Sequence, residues 1–312
     1  MVEALRYTRD DRDRWDELVT GARNGHFMFM RDYMDYHADR FEDHSLLFER
    51  DGRLLAVMPA NRDGQSLHSH GGLTFGGIIS GPDMTTAKML DVFAALQAGC
   101  RQWGIARLVY KAIPHIYHHS PAGEDLYALQ ANAARLIRRD LTSTLEQSHR
   151  PGYSGRQKRN IGKGRKAGLA VTESTDFGRF WELLTDVLAG RHGVAPVHSL
   201  GEIRQLAERF PGNIRLFEAC TPDGELLAGT VLYINEPVVH TQYLANSEAG
   251  RKTGALDYLI DSLIERYRDI PYFDFGISTV NQGRDLNEGL CTQKEGFGAR
   301  AIVHDFYEMD IR

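Results

Sequence analysis

Residues 237–264, PVVHTQYLANSEAGRKTGALDYLIDSLI, decide how the rest of the chain is read. Val238 to Ala245 reads as a strand and Asn246 to Ala255 as a turn. Beyond it, apolar residues at Leu256, Leu259, Ile260, Leu263 and Ile264 recur at helical spacing. The turn holds Gly250, Arg251, Lys252, Thr253, Gly254 and Ala255 where the helix begins. Small residues let a backbone approach a ligand closely. A helix start adds unpaired N–H groups and the positive end of a dipole. Together these predict a seat for a pyrophosphate. The stretch has neither GxGxxG nor GxxxxGK[ST], so an ordinary strand–turn–helix with a soluble turn is the standing alternative.

Outward from this stretch, length and composition set bounds. A chain of 312 residues suits two domains better than one core. Its 42% hydrophobic and 25% charged residues are those of a soluble globular protein. A net charge of −5 does not advertise a nucleic-acid binder. Cys100, Cys220 and Cys291 form no CxxC pattern, which predicts free thiols, no structural zinc and a reducing compartment. The opening MVEALRYTRDDRDRW is too polar for a signal peptide. No apolar run approaches the roughly 20 residues of a membrane span. A cytoplasmic location is the expectation, and a homodimer is compatible with the pattern.

The first half reads as a short strand, a helix over Asp11 to Ala22 and another over Arg31 to Asp39. A hairpin around Asp51-Gly52, a strand Leu67 to Leu73 and the glycine-rich run GGLTFGGIISG follow. Then come a helix over Met84 to Trp103, a strand Ile105 to Lys111 and a helix Glu124 to Arg138. The second half repeats the plan: strand Val171 to Ser174, helices Asp176 to Leu188 and Leu200 to Arg209, and a hairpin around Asp223-Gly224. The opening strand and helix follow, then strand Tyr272 to Gly276, a helix near Leu286 to Lys294 and a closing strand Ala301 to Met309. LFERDGRLLA (47–56) echoes LFEACTPDGELLA (216–228) with three residues added in the turn. Two copies of one α/β unit explain this, with 1–150 and 151–312 as the domains and the basic, glycine-rich stretch 148–168 at the junction.

Two helices, an antiparallel meander, and a turn at a helix N-terminus resemble the GNAT (Gcn5-related N-acetyltransferase) fold. Its pyrophosphate loop reads Q/R-x-x-G-x-G/A; Arg251 and Gly254 fit, whereas Leu256 stands at the last small position. RQKRNIGKGRKAGL (156–169), DFGIST (274–279) and the K-x-x-F-G of Lys294, Phe297 and Gly298 are similar to the tandem-GNAT FemAB-like group. The resemblance implies an α/β (α+β) chain of two GNAT-like domains, each a mixed, mostly antiparallel sheet flanked by helices. The first would be a degenerate, acceptor-side domain and the second would bind acyl-CoA. It implies an acyltransferase, with acyl-CoA donors in some branches and aminoacyl-tRNA in others. Sugar N-acyltransfer onto a nucleotide-linked amine, as in surface polysaccharide biosynthesis, is the branch expected. A tRNA-dependent ligase acting on a peptidoglycan precursor or natural product is the alternative. Backbone at Leu244, Ala245 and Asn246 would hold the donor's carbonyl and arm, and 250–255 its pyrophosphate.

Other candidates follow from residue chemistry. No acidic residue separates Glu146 from Glu173, while Arg156, Arg159 and Lys163 lie among seven basic ones. They are read as a site for a small anionic acceptor, against a solvated linker face. An amine must be neutralised before it attacks, and His suits that task. His192 and His198, in the loop between the second domain's first helices, are the acceptor-side candidates. Strict alternation puts His240 and Gln242 on one strand face, with Thr241 and Tyr243 on the other. Tyr243 is a candidate acid for the leaving thiolate. Asp274, an acid inside an apolar strand, needs a partner. His70, Lys111 and His115 are placed beside the acceptor. No ligand pattern predicts a metal.

Overall fold

The computed structural model describes the backbone of residues 1–312 and every side chain except those at 37, 191 and 192. The chain forms two compact units: residues 1–141, 279–285 and 303–312, and residues 142–278 and 286–302. The sequence pattern suggests a single cut at 150/151. The units are drawn differently because the strands Arg135–Glu146 and Arg300–Asp310 each contribute residues to both. Both units are mixed α/β structures, with sheets that are mostly antiparallel and flanked by helices.

The first unit opens with a four-stranded sheet in the order Glu3–Arg6, Leu46–Arg50, Arg53–Met58, Ile79–Ser80. Its hairpin turns on Asp51 and Gly52, both at positive φ, as the Asp-Gly pair predicts. The helix Thr86–Gln102 lays Met89, Val92, Phe93 and Leu96 into the core beneath it. A second set of strands pairs Ser66–His68 in parallel with Arg107–Lys111, which runs antiparallel to residues 306–310.

Two expectations fail here. The helix expected over Glu124 to Arg138 stops at Ala131; Ala133 adopts φ 56°, and Arg135–Glu146 is a strand. The aliphatic and β-branched residues of LIRRDLTSTLE favour extended backbone, and the basic residues between them look helical only in a short window. The helix expected over Arg31 to Asp39 is one turn, Arg31–Met34, followed by a 3-10 turn.

The second unit is a sheet in the order Ala170–Ser174, Ile214–Cys220, Leu226–Asn235, Val238–Asn246, Tyr272–Ile277, with residues 142–146 beyond. The first four strands are antiparallel. The next pair is parallel over only three positions: Val238 with Tyr272, Val239 with Phe273, and His240 with Asp274. Past that last pair the ladder ends. Helix Phe177–His192 packs on Val238–Asn246, as does helix Ala255–Arg266. The latter buries Leu259, Ile260, Leu263 and Ile264 among Phe217, Leu232 and Phe273.

The stretch 155–166, read from sequence as part of a junction, is a helix, capped by Ser154 and packed along Ala255–Arg266. Its glycines hid it. A Cβ on Gly164 would fall 2.6 Å from Cβ of Tyr258, so the glycine permits this close helix crossing.

Candidate active site

The end of the parallel ladder concentrates polar groups in an otherwise apolar sheet. Asp274 is fully buried. Its Oδ1 accepts hydrogen bonds of 2.6 Å from Thr142 Oγ1 and Thr144 Oγ1. Its Oδ2 lies 2.6 Å from His240 Nδ1 and accepts from the Gly276 amide at 3.3 Å. A buried carboxylate is tolerable only when satisfied in this way. Nearby, Lys294 is also buried; its Nζ donates to the carbonyls of Gly276 (2.7 Å) and Ile277 (2.8 Å) and to Ser278 Oγ (3.0 Å). Burial pulls its pKa down to about 8, and the Asp274 charge opposes that shift. Gly276, at φ 74°, turns the chain so that both groups are served by one segment.

Alternation misplaces the neighbours of His240. Thr241 pairs with Leu232 and Tyr243 with Val231, so Gln242 is an extra residue in a β-bulge. Adjacent partners face opposite ways, and the bulge therefore moves Tyr243 away from Thr241 and onto the face of His240. Tyr243 is buried, with its hydroxyl 2.5 Å from His198 Nδ1 and accepting from the His198 amide at 3.3 Å. Trp181 Nε1 donates to the His198 carbonyl at 3.2 Å and packs edge-on against Tyr243. His198 and Tyr243 thus clamp the loop before helix Leu200–Arg209 to the sheet. The His192 side chain lies outside the described residues.

A cleft of about 200 Å³ is lined by Leu188, Leu244, Leu256, Phe275, Leu290 and Lys294, among others. It opens where the strands Val238–Asn246 and Tyr272–Ile277 have ceased to pair. Its walls are mostly aliphatic, with Asn246, Gln293 and Lys294 as the polar members. Such a slot suits an extended, partly apolar arm.

The turn beyond it differs from the expectation. Residues Glu248–Thr253 form a short helix capped by Ser247. Gly254 (φ 73°) joins it to Ala255–Arg266. A Cβ on Gly254 would lie 2.3 Å from the Asn160 carbonyl, so this glycine faces the helix Gly155–Lys166 and not a ligand. Gly250 is likewise enclosed by Asn246 and Leu227. Arg251 donates to the Asn246 carbonyl, and Lys252 and Thr253 are bonded within their own turn. Asp257, in the first turn of the long helix, accepts from Gln157 and Asn160. Burial raises its pKa, and the charges of Arg156 and Lys163 oppose the shift. In the seat predicted at 250–255, the space a side chain would take at Gly250 and Gly254 is thus filled by neighbouring groups. The cations sit beside it: Arg156, Arg159, Lys163 and Lys166 recur at i, i+3, i+7, i+10 along an exposed stripe. None of them is in an ion pair among the described residues.

In the first unit, Lys111 Nζ donates to the carbonyls of His70, Gly71 and Leu73 at 2.7–3.1 Å. Its role is to hold the glycine-rich loop. His70 is buried at φ 62° with Nδ1 accepting from the Gly72 amide. His115 is exposed beside a separate cavity of about 270 Å³. These three do not converge on one point. Among the described residues no group of His, Cys, Asp or Glu is placed to hold a metal, and no helix is long and apolar enough to cross a membrane. Sequence reading missed Thr142 and Thr144, whose signal was the pair of β-branched threonines in TST ahead of Leu145.

Residues 155–282 match the family model described as "Acetyltransferase (GNAT) domain". The match covers the basic helix, the splayed strands and the Asp274 turn. No curated protein matches the chain. Among solved structures, FemX superposes with a TM-score of 0.69 at 12% identity, over 97% of this chain and 96% of that one. The C-terminal domain of a putative lysylphosphatidylglycerol synthetase from Agrobacterium fabrum gives 0.61 at 12% identity, over 97% and 92%. A tandem GNAT protein from the clavulanic acid biosynthesis pathway gives 0.53 at 12%, over 100% and 98%. At such identities these likenesses concern fold. Residues 155–282 thus match a GNAT domain, the whole chain has a fold similar to tandem GNAT proteins, and the match supports an acyltransferase.

Proposed function

We propose that the protein is an N-acyltransferase that takes an acyl group from acyl-CoA and passes it to the amine of a small anionic acceptor. A nucleotide-linked amino sugar is the acceptor class favoured. The observation that carries this reading is the aliphatic cleft at the end of the Val238–Asn246 and Tyr272–Ile277 pairing, most of whose lining comes from the segment matched to a GNAT domain, with Leu290, Gln293, Lys294 and Phe297 added from beyond it. Its dimensions suit a pantetheine arm. The donor's phosphates would lie against Arg156, Arg159 and Lys163, the exposed stripe beside the helix start, instead of the packed turn at Gly254. The amine attacks the thioester carbonyl by proximity and orientation.

One observation favours a second donor. The packed Gly254 corner weakens the case for a CoA pyrophosphate seat, and a row of cations also suits the phosphates of an aminoacyl-tRNA. Two measurements separate the donors. Acetyl-CoA, or CoA alone, should raise the thermal midpoint and compete with a labelled donor. Total tRNA should do neither at physiological salt. The reverse pattern would transfer the donor assignment to tRNA, and neither ligand binding would refute both. Reversing the stripe with Arg156→Glu, Arg159→Glu and Lys163→Glu should weaken donor binding and flatten its salt dependence, read below the variant's thermal midpoint, which should fall because Arg156 and Lys163 also relieve the buried Asp257.

A further inference from the structure

The sequence placed the proton-accepting task on the loop that holds His192 and His198. His198 is instead built into the clamp with Tyr243 and Trp181. The one histidine paired with a buried carboxylate in the second unit's sheet is His240, and its side chain retains 14% exposure. We propose that His240, oriented by Asp274, is the base that takes the proton from the acceptor amine. This rests on the acyl-transfer reading above and deepens it.

The geometry has three parts. First, His240 and Asp274 are the last pair in the parallel ladder, so the imidazole sits at the point from which the two strands diverge toward the donor cleft. Second, the 2.6 Å bond from Nδ1 to Asp274 Oδ2 fixes the ring. An imidazole donating Nδ1–H to a carboxylate carries its lone pair on Nε2, which is the tautomer a base requires. The turn at Gly276 lies against that edge of the ring at ordinary contact distance, a Cβ there falling 3.4 Å from Cε1 and 3.9 Å from Nε2. Third, Asp274 accepts from two hydroxyls and an amide, and its charge acts on the nearby Lys294, an arrangement that favours the carboxylate form. It therefore steadies an imidazolium as it forms. Among the described residues, the titratable groups around His240 within the unit include Asp274, Lys294 beyond that carboxylate, Tyr233 directly across the strand pair, and Tyr243 with His198 on its own sheet face.

In the step, the acceptor ammonium loses one proton to His240 Nε2, and the neutral amine nitrogen then bonds to the thioester carbonyl carbon. The C–S bond breaks, and the departing thiolate takes the second proton from that nitrogen. The imidazolium releases the first proton to water, so the enzyme ends unchanged.

The test compares wild type with His240→Gln and Asp274→Asn on two acceptors: an alkylamine, protonated at neutral pH, and hydroxylamine, already neutral there. His240→Gln should lower kcat on the alkylamine by roughly 10²- to 10⁴-fold. KM for the donor should hold, the loss on hydroxylamine should be smaller, and the acid limb of the pH–rate profile should disappear. Asp274→Asn should act in the same direction. Ring ¹⁵N spectra should show the Nδ1–H tautomer of His240 in wild type and a mixture in Asp274→Asn, a readout independent of turnover. Full kcat in His240→Gln, equal losses on both amines or a change confined to KM would overturn the assignment while leaving the acyl-transfer reading intact. Absence of transfer by wild type with every donor would end both.

Discussion

Each unit tucks a lysine against its backbone, Lys294 buried and Lys111 half-buried, and the two are satisfied alike. Lys111 donates to three carbonyls of a glycine-rich loop, and Lys294 donates to two carbonyls and a hydroxyl at the Gly276 turn. Burial brings both down to about 8. Their surroundings differ. The charge that acts on Lys111 is the Arg138 guanidinium, which adds to the cost of burial. The carboxylate of Asp274 acts on Lys294 and relieves it. A cleft opens at Lys294, whereas Lys111 holds a closed loop. The same brace is structural in one copy of the fold and is coupled to a buried acid and a candidate base in the other.

The largest expected effect tests that coupling. Lys294→Met removes three donors and the countercharge of Asp274. Losing these bonds and the coulombic interaction with Asp274 should cost more than the about 1–3 kcal/mol of orphaned polar groups alone, read from urea midpoints, and kcat should fall with it. Lys111→Met orphans carbonyls only, at about 1–3 kcal/mol, and should spare kcat per folded molecule. Equal costs and equal kcat losses would erase the distinction between the two sites.

A smaller effect sharpens the shared half of the comparison. Both lysines titrate near 8 when folded, below their unfolded value of about 10.4. Between those values the unfolded chain binds more protons, so their contribution to stability rises with pH across that window. Each adds about 1.4 kcal/mol per pH unit. The stability of wild type relative to Lys111→Met should therefore climb from pH 8 toward 10 in urea titrations. A flat difference would mean that the lysine's burial cost is already relieved.

The smallest effect concerns the cleft that only the second unit places beside its lysine. Leu256→Trp should fill part of it and weaken donor binding by about tenfold, or about 1.4 kcal/mol, with an unchanged thermal midpoint in the absence of ligand. Unaltered donor affinity by calorimetry would detach the cleft from the donor. Gly254→Trp is not a clean probe, because Asn160 already packs there.

Much of this was legible in the sequence, and the exceptions have physical causes. Helical periodicity found Leu256–Ile264, and Asp-Gly turns found both hairpins, because these signals are local. Asp274 declared itself as an acid among aromatics. Its partners did not: Thr142 and Thr144 come from a strand read partly as helix, and sequence spacing alone does not bring residues 142, 240 and 274 together. The bulge at Gln242 moved Tyr243 off the face of Thr241, since strict alternation has no way to signal an inserted residue. Gly254 was read as room for a ligand, while its real demand is a neighbouring helix whose own glycines disguised it.

The central claim is that the cleft between Leu244, Leu256 and Leu290 receives the acyl donor's arm. A crystal structure of the protein with CoA bound tests it most directly. The account predicts pantetheine density in that cleft, with the thiol end toward His240 and the phosphates against Arg156, Arg159 and Lys163. CoA bound elsewhere on the molecule, or a wild-type enzyme turning over acyl-CoA with that cleft empty, would contradict it.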